Sequence, residues 1–123
     1  MIKGLIVGHR DFGKAIINAA ESISGRTECI GYVSNEGLST NELADKIKVL
    51  CNKDCDEGVV LFVDVYGGSC WRAAKMAKTS NAHIVTGLNL PMLLSFVQKR
   101  KTVLFDVLPS VMETDGKRAI MNE

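Results

Sequence analysis

The sequence predicts a doubly wound α/β domain, a mostly parallel sheet with helices on both faces, and three observations carry that expectation. Short, nearly continuous apolar runs alternate along the chain with segments whose apolar residues recur at helical spacing. The apolar runs lack the in-out alternation of a half-wetted sheet, as expected for strands buried on both faces. At 123 residues the chain accommodates one domain, residues 1–123, and can bury a core without disulfide or metal staples.

The elements follow in order. Ile2 to Val7 is an apolar run broken by Lys3 and Gly4, and it reads as the first strand. Phe12, Ile16, Ala19, Ala20 and Ile23 then keep helical spacing until Gly25 supplies a stop. Cys29 to Val33 is a short second strand. Ser39-Thr40-Asn41-Glu42 is a capping box, which opens a helix burying Leu43, Ile47 and Leu50. Val59 to Val63 is the clearest central strand and ends at Asp64. After Gly67-Gly68, Ser69 is expected to cap a third helix with Ala73, Met76 and Ala77 facing inward. His83 to Leu88 forms a fourth strand, and Asn89, with Pro91 just inside, starts a helix along Leu93, Phe96 and Val97. A last helix begins near Asp106, because Pro109 is tolerated in a first turn, and ends by Gly116. Lys117 to Ile120 is left as a short final strand.

Composition removes several functional classes. Hydrophobic residues make up 46% and charged residues 24%, so the chain is not a disordered one. A net charge of +1 gives no electrostatic footprint for nucleic acid. The run Lys99-Arg100-Lys101 is expected to be a solvated helix end. No apolar stretch approaches the ~20 residues of a membrane span, and the N-terminus lacks a secretory pattern. A cytoplasmic protein with reduced cysteines is expected. Cys29 reads as a small core residue, and Cys51 with Cys55 offers two ligands where a zinc set needs more, so no metal is expected.

In parallel sheets ligands bind outside the carboxyl ends of the strands. Those ends carry Gly8-His9, Ser34-Asn35, Asp64 to Ser69, and Gly87-Leu88-Asn89. A histidine imidazole is a nucleophile at physiological pH. A carboxylate on a neighbouring strand end can take the proton of one ring nitrogen, fix the tautomer and sharpen the other nitrogen. Gly67, Gly68 and Ser69 before a helix offer backbone N–H groups and a hydroxyl to an anion. Nucleophilic His9, orienting Asp64 and the anion cradle together suit transient phosphoryl transfer. No Walker lysine motif or kinase signature accompanies them, which argues against direct use of ATP.

GLIVGHRDFGKAIINAAE, VVLFVDVYGGSCWRAA and IVTGLNLPMLL together resemble the mannose-type IIA domains of the bacterial phosphoenolpyruvate-dependent sugar phosphotransferase system. Those domains share a strand ending in histidine, an Asp-x-x-Gly-Gly-Ser turn before a helix, and a Gly-x-Asn-x-Pro-Met segment. The resemblance covers nearly the whole chain. It implies a homodimer that exchanges a C-terminal strand, here about Lys117 to Ile120. It also implies that His9 accepts phosphate from the phosphocarrier HPr and passes it to a separate IIB component, with phosphoenolpyruvate as the indirect source and no cofactor. Asp64 would orient His9, while Gly67, Gly68 and Ser69 would hold the phosphoryl group.

Two departures bear on partners. The family usually has glycine after the histidine, where this chain has Arg10 and Asp11; Arg10 either pairs with phosphate or crowds a partner. The family continues its serine turn with Pro-Phe-Asn, where this chain reads Cys70-Trp71-Arg72. Arg10, Phe12, Trp71, Arg72, Asn89 and Met92 are therefore candidates for partner recognition, with helix start and packing the simpler reading of Asn89 and Met92. Two other functions remain open. One is a regulatory module on the same fold, switched by phosphorylation of His9. The other is a cysteine enzyme in which Cys70, at a helix N-terminus, joins His9 and Asp64. His83, at the opposite end of its strand from the site, is expected to be structural or exposed.

Overall fold

A computed structural model describes residues 1–53 and 56–123. The elements alternate as expected: β1 (Lys3–Gly8), α1 (Phe12–Ser24), β2 (Ile30–Ser34), α2 (Thr40–Cys51), β3 (Val59–Val63), α3 (Ser69–Ala77), β4 (Ala82–Thr86), α4 (Leu90–Lys99) and α5 (Leu108–Arg118). Four parallel strands form one sheet in the order β2-β1-β3-β4. The chain leaves β1 toward β2, yet leaves β3 toward β4 on the other side. The gap between the carboxyl ends of β1 and β3 is thus the point where the winding reverses.

Strand residues divide by parity between two cores. Leu5, Val7, Val59, Leu61 and Val63 pack against Leu43, Ala44 and Ile47 of α2 and Cys70, Ala73, Ala74 and Ala77 of α3. On the other face, Ile6, Val60, Phe62 and Val85 meet Ile16 and Ala20 of α1, Leu93 and Phe96 of α4, and Leu108 and Met112 of α5. β1 and β3 are buried on both sides, which is why they read as unbroken apolar runs.

The helix signals resolve into specific bonds. Both halves of the Ser39 box form: the Glu42 N–H donates to Ser39 Oγ at 3.1 Å, and the Ser39 N–H to Glu42 Oε1 at 2.9 Å. Asn89 accepts from the Met92 N–H at 2.9 Å, with Pro91 in the first turn of α4. Gly25 closes α1 in the left-handed region, its N–H reaching the Glu21 carbonyl.

Several expectations need correction. The third helix is capped by Gly68, and Ser69 is its first residue. Its inner face uses Cys70 and Ala74 beside Ala73 and Ala77, leaving Met76 49% exposed, because small side chains let the helix lie close on the sheet. Ile23 projects into solvent at the end of α1 and is 62% exposed. Leu50 is half-buried, packed at the margin of its core. Cys29 lies before β2 with φ of +59° and is half-buried, outside both cores. β4 stops at Thr86 because Gly87 turns with φ of +73°. The last helix starts at Leu108, runs through Gly116 and takes in Lys117 and Arg118, so residues 117–120 form no strand in this chain. Gly116 gives close approach instead of a stop: a Cβ there would lie 2.7 Å from the Met92 methyl carbon of α4.

The basic run is not uniformly solvated. Arg100 is 3% exposed and stitches the sheet's lower end: Nη2 donates to the Glu28 carbonyl at 2.6 Å, Nη1 to the Ile2 carbonyl at 3.4 Å. Its guanidinium also covers the Phe96 ring at 5.3 Å. Lys99 pairs with Asp115 of α5 at 2.6 Å. Cys51 is buried, while Cys55 lies outside the described residues.

Candidate functional site

β1 and β3 pair in register up to Val7 and Val63, so the residues that follow leave the sheet side by side. Asp64 begins this departure, its N–H donating to the Val7 carbonyl at 3.2 Å. Gly8 opposite it carries no side chain; a Cβ there would stand 3.4 Å from Asp64 Oδ2 and 3.1 Å from the Phe12 ring. The carboxylate therefore turns across β1. Its Oδ2 accepts from the His9 backbone N–H at 2.9 Å and lies 2.7 Å from His9 Nδ1, while Oδ1 accepts from the Val65 N–H at 2.9 Å.

These bonds settle the tautomer. Oδ2 is an acceptor, so Nδ1 carries the proton and Nε2 of the neutral ring keeps its lone pair. The Asp64 side chain is 8% exposed and the His9 side chain 48% exposed, so a shielded carboxylate holds a ring open to solvent. An imidazole held this way can present an unprotonated Nε2 to an electrophile.

The turn after His9 is tight. Phe12 N–H reaches the His9 carbonyl at 3.1 Å, and Arg10 takes φ of +47° within it. The left-handed region suits glycine, so Arg10 holds a backbone conformation that side chains rarely adopt. The Arg10 side chain is exposed.

The Gly67-Gly68-Ser69 turn lies on the same edge. Gly67 needs φ of +89°, and nothing stands within 4 Å of a Cβ built on Gly67 or Gly68, so the turn faces open space. α3 has no side-chain cap, which leaves its first N–H groups for an external anion. Ser69 is half-buried at the first helical position.

Cys70 is the next residue. Its Sγ lies 3.8 Å from His9 Nδ1, the nitrogen that Asp64 already holds. A nucleophile–base–acid relay needs the thiol and the carboxylate on opposite ring nitrogens. Burial, aided by the Asp64 charge, also pushes the thiol up to about 11, against the activation expected at a helix N-terminus. The cysteine-enzyme reading fails on both counts.

The recognition candidates separate. Trp71 is half-buried against Tyr66, with ring centroids 4.8 Å apart, and Lys75 Nζ lies 5.0 Å over its ring. Arg72 is exposed and Phe12 half-buried under Gly8. Asn89 caps α4 and donates to the Gly116 carbonyl at 3.1 Å, and Met92 is 4% exposed. Both bind α4 to α5 and offer little surface. Tyr66 was not among the candidates, although its place in the turn between Asp64 and the glycines marked it as a loop aromatic on the functional edge. It lines, with Trp71, Lys75, His83, Pro109 and Lys117, a groove of about 760 Å³ along the outer edge of β4. His83 Nε2 donates to Asp106 Oδ1 at 3.1 Å, and its ring lies tilted against Phe105 at 4.5 Å, a structural contact. Among the described residues no helix is long and apolar enough to cross a membrane.

Comparison with known proteins identifies the family. Over residues 3–111 the chain matches the family model described as the PTS system fructose IIA component. It is 26% identical over 126 residues to the mannose-specific EIIAB component of Escherichia coli K12, covering 98% of this chain and 39% of that protein. It thus spans about two-fifths of that relative's length. The sorbose-specific EIIA component of Klebsiella pneumoniae is 24% identical over 88% of this chain and 82% of its own. In fold, an EIIA component from Streptococcus agalactiae superposes with a TM-score of 0.88 at 24% identity, over 99% of this chain and 97% of that one. With the match running from β1 into α5, the chain belongs to the fructose and mannose IIA component family of the sugar phosphotransferase system.

Proposed function

We propose that this protein is a cytoplasmic phosphocarrier that takes a phosphoryl group from HPr onto His9 Nε2 and hands it to a IIB component. The observation that carries the reading is the 2.7 Å contact of Asp64 with His9 Nδ1 on a half-exposed ring. In the accepting step the Nε2 lone pair attacks phosphorus, the bond from phosphorus to the donor atom of phospho-HPr breaks, and the donor leaves with that electron pair. Nδ1 keeps its proton throughout. The ring becomes positively charged as the new P–N bond forms, and the Asp64 carboxylate offsets that charge. The uncapped N–H groups of α3 and the Ser69 hydroxyl are the donors available to the phosphoryl oxygens. In the second step the acceptor attacks from the opposite side and Nε2 recovers its lone pair.

The same reading makes the protein a homodimer, with the groove beside β4 as the place for an exchanged C-terminal segment. The test is phosphorylation with phosphoenolpyruvate, enzyme I and HPr. Wild type acquires an acid-labile, base-stable phosphate and His9→Ala acquires none. Equal labelling of the two proteins overturns the proposal.

A further inference from the structure

Cys70 brings a third donor atom to His9 and Asp64. A donor atom from each of the three lies within 4.8 Å of the others. The set joins a thiol, an imidazole nitrogen and a carboxylate oxygen, a combination that suits borderline-soft ions such as Zn²⁺ or Co²⁺ and not Mg²⁺ or Ca²⁺.

Two edges of the triangle can be set against a tetrahedral site, and the third, Cys70 Sγ to Asp64, lies within 4.8 Å and closes toward about 3.5 Å on binding. With Zn–S of about 2.3 Å and Zn–N or Zn–O of about 2.0 Å, sulfur and nitrogen sit about 3.5 Å apart, nitrogen and oxygen about 3.3 Å. Cys70 Sγ and His9 Nδ1 are 3.8 Å apart, so that edge is nearly in place. Nδ1 and Asp64 Oδ2 are 2.7 Å apart because a proton bridges them. Replacing that proton with an ion widens the edge by about 0.6 Å, which the half-exposed His9 ring accommodates by tilting outward.

We propose that Cys70, His9 and Asp64 form a Zn²⁺-class site whose occupation blocks phosphorylation of His9. The ion takes the Nδ1 lone pair, so the ring proton moves to Nε2, and the Cys70 thiol releases its proton to solvent. Nε2 then has no lone pair with which to attack phosphorus. Metal and phosphoryl group thus require opposite tautomers of one ring. The inhibitory half of this proposal rests on the phosphocarrier reading, while metal binding does not.

The test begins with Co²⁺ titrated into chelator-treated protein. One equivalent gives a thiolate-to-cobalt charge-transfer band, Zn²⁺ displaces it, and Mg²⁺ does not. The band is lost in Cys70→Ala and kept when Cys29, Cys51 and Cys55 are replaced together. Asp64→Asn weakens binding by about a hundredfold, since even the loss of an outer-shell partner costs ~10–100-fold. X-ray absorption on the Zn²⁺-bound wild type shows one sulfur among nitrogen and oxygen ligands, a readout needing no variant. A band that survives Cys70→Ala, or no band at all, overturns the site. With purified phospho-HPr as donor, the ratio of labelling rates without and with Zn²⁺ is large for wild type and near one for Cys70→Ala. Equal ratios overturn the block while leaving metal binding to stand. Metal binding without any labelling of chelated protein overturns the phosphocarrier reading and the block together.

Discussion

Replacing Asp64 with asparagine keeps the shape of the side chain but cannot keep its bonds. The carboxylate accepts three hydrogens: from the His9 N–H and Nδ1–H at one oxygen, and from the Val65 N–H at the other. Asparagine has one acceptor oxygen and one NH₂. With its oxygen toward His9, the NH₂ meets the Val65 N–H, and a hydrogen bond to a charged group worth about 1.5–3 kcal/mol is lost. With its oxygen toward Val65, the NH₂ meets the His9 N–H and donates to Nδ1, which moves the ring proton to Nε2 and removes the nucleophile. In the first orientation the developing ring charge loses a charge-assisted bond worth about 1.5–3 kcal/mol, a slowing of about 10- to 150-fold. In the second the tautomer is wrong, and the loss approaches the ~10⁴ seen when a triad aspartate is amidated. Asp64→Asn is therefore expected to slow labelling by at least about tenfold. It also lowers the unfolding free energy by about 1.5–3 kcal/mol. Single-turnover transfer from phospho-HPr, read beside urea unfolding of the same sample, measures both. A folded variant labelled within about threefold of the wild-type rate would refute the tautomer argument, since that is below ~0.7 kcal/mol.

Three further outcomes follow from other contacts. Arg10→Gly removes a left-handed φ of +47° from a non-glycine residue and is expected to be neutral or stabilising by up to about 1 kcal/mol; Arg10→Ile loses about 1–2 kcal/mol, and urea midpoints in the reverse order would contradict this. Arg100→Met leaves the Glu28 and Ile2 carbonyls without their donors and is expected to destabilise by about 2–4 kcal/mol, with Arg100→Lys recovering part; a loss below about 0.5 kcal/mol would show the contacts to be idle. Asp115 is held below the usual carboxylate range by its bonds from Lys99 and Ser95. Its contribution is present above the unfolded pKa near 4 and is lost as pH falls through the lower folded value. The difference in urea midpoint between wild type and Asp115→Asn should shrink between about pH 6 and pH 3, and a constant difference would contradict the assignment.

Much of the site was legible because strand ends are legible. Val59 to Val63 read as the clearest buried strand, which put Asp64 at its carboxyl end; the run to Val7 did the same for His9. That β1 and β3 are neighbours was not written locally. It depends on which helices cover which face, and it is this pairing that brings the two residues within hydrogen-bond distance. Packing choices were equally hidden. Periodicity put Met76 on the inner face of α3, and the close approach of α3 to the sheet placed the small Cys70 and Ala74 there instead. Gly116 read as a stop because glycine usually ends helices, yet here the demand came from Met92, 24 residues earlier in the chain. Arg100 read as surface because charge runs usually are; the carbonyls at Ile2 and Glu28 that bury it are remote in sequence. Cys70 could be placed near His9, but only coordinates show its sulfur beside Nδ1, where it is useless to a protease-like relay and suited to an ion.

The account turns on which ring nitrogen is free. Protein labelled with ¹⁵N at histidine, phosphorylated through HPr and observed by nitrogen–phosphorus NMR, answers this directly. The account predicts one phosphohistidine, His9, with phosphorus coupled to Nε2 and a proton retained on Nδ1 beside Asp64. Phosphorus on Nδ1, or on any residue other than His9, would contradict it.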